Sequence, residues 1–140
     1  MVYVDTSVVV ALLTAEPGSA KATKWYAAAT EAPTCADWLL TEFASALSMK
    51  VRTKQLSDAH AKRVRKEFEA LATGGLRVVP VSRAAYRHAA SLAAAHRHGL
   101  RAGDALHLAV ALELGATHMA TFDKVLAQNA KRLGLGLTSF

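Results

Sequence analysis

The chain has 140 residues, 52% of them hydrophobic and 20% charged, a balance that excludes a disordered polymer and lets a core form without disulfides or a structural metal. Lys and Arg number 17 against 11 Asp and Glu, a formal charge of +6 with neutral histidines, which favours a polyanionic partner. The single cysteine, Cys35, excludes an intrachain disulfide and a cysteine-built zinc site, and it suits a reducing, cytoplasmic setting.

Along the chain, Val2 to Val4 is a short β-favouring run, followed by the helix-capping residues Asp5, Thr6 and Ser7. Val8 to Thr14 predicts a short helix stopped by Glu16-Pro17-Gly18, and Ser19 to Thr30 predicts a second. The apolar run Val8 to Ala15 imitates a secretion signal, but Asp5 precedes it and the first basic residue is Lys21, so the positive leader of such a signal is missing. No uncharged apolar run reaches the ~18 residues of a membrane span. Pro33 to Ala36 is a weak second strand. Leu39, Leu40, Phe43, Ala46 and Leu47 recur at helical spacing within Leu39 to Lys50. Asp58 caps a helix expected to reach Leu71, with Gly74-Gly75 as its stop, and Arg77 to Val81 is the next strand. Ser82 caps a helix predicted to run to His98, ended by Gly99; Gly103-Asp104 opens another, reaching Leu114. Thr117 to Phe122 is a strand, Asp123 caps a last helix to Leu133, and Gly134 to Thr138 is a final short strand. Strands alternating with helices predict one α/β domain over residues 1–140, three-layer α/β/α with a central, mostly parallel sheet.

Ligands of such sheets bind outside the carboxyl ends of the strands. Asp5 and Asp123 fall there, Asp104 stands at a helix start, and Glu42 interrupts an apolar helical stretch. Taken singly, Asp5, Asp104 and Asp123 read first as helix caps worth ~1 kcal/mol each, and Glu42 as a solvated boundary residue. Taken together, oxygen-only donors suit a hard cation such as Mg²⁺ or Mn²⁺ rather than zinc. Lys50, Arg52, Lys54, Lys62, Arg63, Arg65 and Lys66 cluster with one intervening acid, Asp58. They read either as a solvated helix face or as a rim that tracks phosphates. Arg101, three residues before Asp104, is a further candidate for a substrate phosphate. His107 shares a helix face with Asp104 and reads as a core-edge histidine bonded to a backbone carbonyl. Trp25 and Trp38 read as packing residues.

Several segments in order carry a family resemblance: "VYVDTSVVVALL", "WLLTEFASAL" and "LRAGDALHLAVALELGATHMATFDKVLAQNAKRLGL". Together they resemble the PIN-domain ribonucleases, and within them the VapC-type toxins of toxin–antitoxin pairs; Gln55 to Arg87 matches in pattern only. The resemblance implies a PIN-like fold and an acidic metal site of Asp5, Glu42, Asp104 and Asp123, catalytic and metal-binding, supported by hydroxyls from Thr6, Ser7 and Thr121. It further implies an endoribonuclease using Mg²⁺, with Mn²⁺ able to substitute, cutting tRNA or rRNA, paired with a small antitoxin and forming a homodimer. Lys50, Arg52, Lys62, Arg63, Lys66 and Arg101 are then the expected RNA contacts. A structure-specific DNA nuclease, or a non-catalytic RNA- or partner-binding module, is the alternative. An aspartate-nucleophile phosphatase would want a second Asp where Ser7 stands, and a receiver domain would want a second early acid where Thr6 stands.

Overall fold

The computed structural model describes residues 1–140. Five short strands, β1 (Val2–Val4), β2 (Thr34–Ala36), β3 (Arg77–Val79), β4 (His118–Ala120) and β5 (Gly136–Leu137), form one sheet in the order β3-β2-β1-β4-β5. Every pairing is parallel, with Tyr3 opposite Thr34 on one side and Met119 on the other; the expected "mostly parallel" sheet is wholly so. Side chains alternate across a strand. Tyr3 and Met119 therefore enter one core while Val4 and Ala120 enter the other.

Seven helices cover the two faces: α1 (Thr6–Leu13), α2 (Ser19–Ala27), α3 (Trp38–Arg52), α4 (Asp58–Gly74), α5 (Arg83–Ala94), α6 (Ala102–Glu113) and α7 (Lys124–Arg132). Leu39, Phe43 and Leu47 of α3 pack with Val8 and Val9 of α1 and with Val64 and Phe68 of α4. Ala85 and Ala89 of α5, Leu108 of α6 and Leu126 of α7 fill the opposite face. No helix is long and apolar enough to cross a membrane.

Most element positions follow the sequence patterns; the differences have local causes. β3 stops at Val79 because Pro80 has no N–H to continue a ladder. β4 stops at Ala120 because the Phe122 N–H donates to Ser7 Oγ at 2.9 Å instead of to a strand. The helix expected from Ser82 to His98 breaks at Ala95, and His96–His98 forms a 3₁₀ turn closed by Gly99 at φ 68°. Ser57, not Asp58, caps α4, its side chain accepting from the His60 N–H at 3.1 Å.

The chain runs from β1 out to β3 on one side, then returns to place β4 on the other side of β1. The sheet's topological switch point thus lies between β1 and β4, where a crevice opens at the strands' carboxyl ends.

Candidate active site

Asp5 follows β1 at this switch point and is buried. Its carboxylate caps α1 by accepting from the Val8 N–H at 3.3 Å. Ser7 Oγ donates to Oδ1 at 2.7 Å and Thr121 Oγ1 donates to Oδ2 at 2.7 Å, so both oxygens are fixed. Burial nonetheless pushes the carboxyl above its usual range, against the lowering effect of His107 and these donors. Asp123 follows β4 and caps α7, Oδ1 accepting from the Leu126 N–H at 2.7 Å. Its own N–H donates to Thr121 Oγ1 at 2.9 Å, so one hydroxyl ties the two strand-end acids together. For these two residues the capping and site readings are compatible.

Asp104 is no cap. Helix α6 begins at Ala102 with Arg101 as an N-cap that makes no side-chain bond, which leaves Asp104 in the first turn. Its carboxyl is raised from 3.8 to about 6, first by burial and then by the negative charges of Asp123, Asp5 and Glu42. The other three sequence-predicted acids therefore all act on the charge of Asp104.

Glu42, on α3, is held differently. Thr6 Oγ1 donates to its Oε2 at 2.5 Å, and His107 Nε2 lies 2.6 Å from the same oxygen. Burial pushes the Glu42 carboxyl up, but His107, Thr6 and Trp38 outweigh it and hold the group below its ordinary value. His107, buried in α6, meets the Tyr3 hydroxyl at Nδ1 over 3.0 Å, so its partners are side chains rather than the expected backbone carbonyl. Gly103 completes the arrangement. A Cβ at this position would overlap Glu42 Oε1 and stand 3.2 Å from Trp38 Nε1, so the backbone of α6 approaches α3 this closely only without a side chain. Tyr3 and Gly103 are neighbours of these acids that sequence reasoning does not single out, while Trp38 and His107, read there as packing and core-edge residues, stand beside Glu42. The unused signal is the i,i+4 spacing of Trp38 and Glu42.

An apolar cavity of about 570 Å³ opens beside these hydroxyls, lined by Thr6, Ser7, Val10, Ala46 and Phe122 among others. No three acid, histidine or cysteine side chains close into a ready-made ion cage. The donor chemistry still fits a divalent cation. The free oxygens are hard carboxylate donors, and like-charge crowding at Asp104 is what such an ion relieves, with water and phosphate filling its shell.

Of the expected RNA contacts, Arg52, Lys62, Arg63, Lys66 and Arg101 are exposed. Lys50 is not: its ammonium is buried, ion-paired with Glu16 and bonded to Gln55 at 3.5 Å. It belongs to the packing of α3 against the α1–α2 loop, because a buried ammonium needs a partner, and it leaves the rim.

The PIN domain family matches residues 2–132. No curated protein matches the chain. Among solved structures it is similar to VapC20 of Mycobacterium tuberculosis, a sarcin-ricin loop cleaving toxin, with a TM-score of 0.75 and 19% identity over 92% of this chain and 95% of that one. It is similar to FitAcB of Neisseria gonorrhoeae, with a TM-score of 0.74 and 17% identity over 99% and 97%. VapBC2 of Rickettsia felis, bound to a DNA fragment from its promoter, gives a TM-score of 0.67 and 17% identity over 99% and 98%.

Proposed function

The chain belongs to the PIN domain family, and on that premise we propose that it is a metal-dependent endoribonuclease, the toxin of a toxin–antitoxin pair. One observation supports the reading: Asp104 stands in the first turn of α6 with its carboxyl raised to about 6, first by burial and then by the charges of Asp123, Asp5 and Glu42. Mg²⁺, or Mn²⁺ in its place, would be held by the free oxygens of these carboxylates. When bound it supplies a more acidic water and neutralises charge on the phosphoryl oxygens.

The chain's own residues do the rest. Asp5, fixed at both oxygens, is already oriented by Ser7, Thr121 and the Val8 N–H. Asp104, with its carboxyl at about 6, is already largely ionised at neutral pH, and the ion would stabilise that charge. Glu42, held ionised by His107 and Thr6, would accept the proton of the attacking water. Exposed Arg101 meets the substrate phosphate next to Asp104. The net positive charge draws the polyanion in.

RNA, with tRNA or rRNA as its class, is the substrate; the similar fold of VapC20, a sarcin-ricin loop cleaving toxin, supports that choice. Similar folds within VapBC2 and FitAB support a small antitoxin as partner. Exposed Leu40, Met49 and Tyr86 supply apolar surface for protein contacts, including a homodimer. The setting is the cytoplasm. Induction of the chain alone is expected to arrest growth, while Asp5→Asn and Asp123→Asn are expected to be tolerated. Mutants as toxic as the wild type would end the catalytic reading.

A further inference from the structure

Glu42 is the one site acid held by another ionisable side chain, and the chain of donors behind it begins in the central strand. The Ala36 N–H donates to Tyr3 Oη at 3.1 Å. That occupies an acceptor position on the phenol, whose own O–H must then find an acceptor, since Tyr3 is fully buried. The partner in reach is His107 Nδ1 at 3.0 Å. An Nδ1 that accepts carries no proton, so the neutral ring bears its proton on Nε2. That N–H points at Glu42 Oε2, 2.6 Å away, with Thr6 Oγ1 at 3.1 Å as a second, longer neighbour.

We propose that His107 is a positioning residue of the nuclease site: locked by Tyr3 into the Nε2–H tautomer, it anchors one oxygen of Glu42 and leaves the other turned toward Gly103. The catalytic consequence rests on the nuclease reading above; the tautomer does not. The geometry distinguishes this from ordinary core filling. His107 is 1% exposed while Glu42 is 26% exposed, so a rigid interior group reaches out to a side chain that would otherwise sample several rotamers at the mouth of the site. Thr6 and His107 both fall on Oε2. Oε1 lies against Gly103, the residue before Asp104. The central strand thus sets the position of an acid on α3 through a ring on α6.

Three readouts test it. Long-range ¹⁵N–¹H spectra of the metal-free wild-type protein at neutral pH are expected to show His107 protonated at Nε2. In Tyr3→Phe, which keeps the buried ring and removes only the O–H, the Nδ1 resonance is expected to shift as its donor is lost, while Nε2–H, still facing Glu42, persists. In RNA cleavage with Mg²⁺, His107→Leu is expected to lower kcat by about 10²-fold, the scale of a misplaced catalytic group, with KM for RNA unchanged. His107→Gln, whose amide N–H can stand in for Nε2–H, is expected to restore most of that activity. An Nδ1–H tautomer in the wild type, or a His107→Leu enzyme with unchanged kcat, would overturn the positioning role while the nuclease reading stands. A wild-type protein that cuts no RNA is a different result and removes the nuclease reading itself. Where His107→Leu fails to fold, Tyr3→Phe and the wild-type spectrum still decide.

Discussion

Asp104 carries the strain of the site, and the sign of that strain is measurable. Its carboxyl sits at about 6 in the folded protein instead of 3.8, so the native state binds this proton more tightly than the unfolded chain does. Stability is therefore fully retained below the unfolded value and is lost as pH rises through the folded one. Because the group is partly solvated, screening reduces the full shift to about 1 kcal/mol. Asp104→Asn in chelator is expected to melt about 3 °C above wild type at about pH 8 and level with it near pH 4. Excess Mg²⁺ should stabilise wild type and not the variant. Melting curves at the two pH values, with and without metal, check this; a variant no more stable than wild type at the higher pH removes Asp104 from the cluster. Gly103→Ala is the steric counterpart. A helical Gly→Ala change elsewhere gains about 1 kcal/mol, but here the methyl group meets the Glu42 carboxylate. The variant is expected to gain no stability and to lose at least about tenfold in kcat, read from melting and steady-state cleavage. In the sequence, strand ends and a helix start mark Asp5, Asp123 and Asp104, and Glu42 stands out only as an acid in an apolar helical stretch; the family resemblance is what joins the four. The Tyr3–His107 hydrogen bond is not legible there, since it joins positions separated by 104 residues that only the closed sheet brings together.

Among the elements, α4 is the one whose function composition alone leaves open. Lys62, Arg63 and Lys66 are exposed on it and form no ion pairs within the chain. Neutralising all three is expected to weaken RNA binding and to flatten its salt dependence by about 0.7 for each phosphate no longer neutralised, measured as log K against log salt. Lys50→Met makes the contrast. It strands half-buried Glu16 and should reduce stability by about 1–2 kcal/mol while leaving the salt slope where it is. An unchanged slope in the triple variant would return α4 to a merely solvated face. The two basic groups look alike in sequence, since periodicity places a lysine on a helix but does not tell which loop lies over its last turn. The same limit explains α5: alanines run past Ala94 without interruption, and the break at Ala95 follows from the turn that Gly99 closes. Helices α3 and α7, bounded by apolar periodicity and an Asp123 cap, are readable to within two residues.

For the whole molecule, strand order decides where the candidate site lies. Alternating strands and helices predict a layered parallel sheet, yet nothing in local pattern states that the chain doubles back at β1. That reversal puts Asp5 and Asp123, far apart in the chain, at the ends of neighbouring strands. An open parallel sheet without it would leave Asp5 and Asp123 on strands that are not neighbours. Whether this site cuts RNA with a divalent cation is decided by incubating the purified chain with total RNA and sequencing the ends produced. The expected result is a small set of discrete ends, present with Mg²⁺ or Mn²⁺, absent in chelator, and absent with Asp123→Asn. Ends that persist in chelator or with the variant, or cutting confined to DNA, would contradict it.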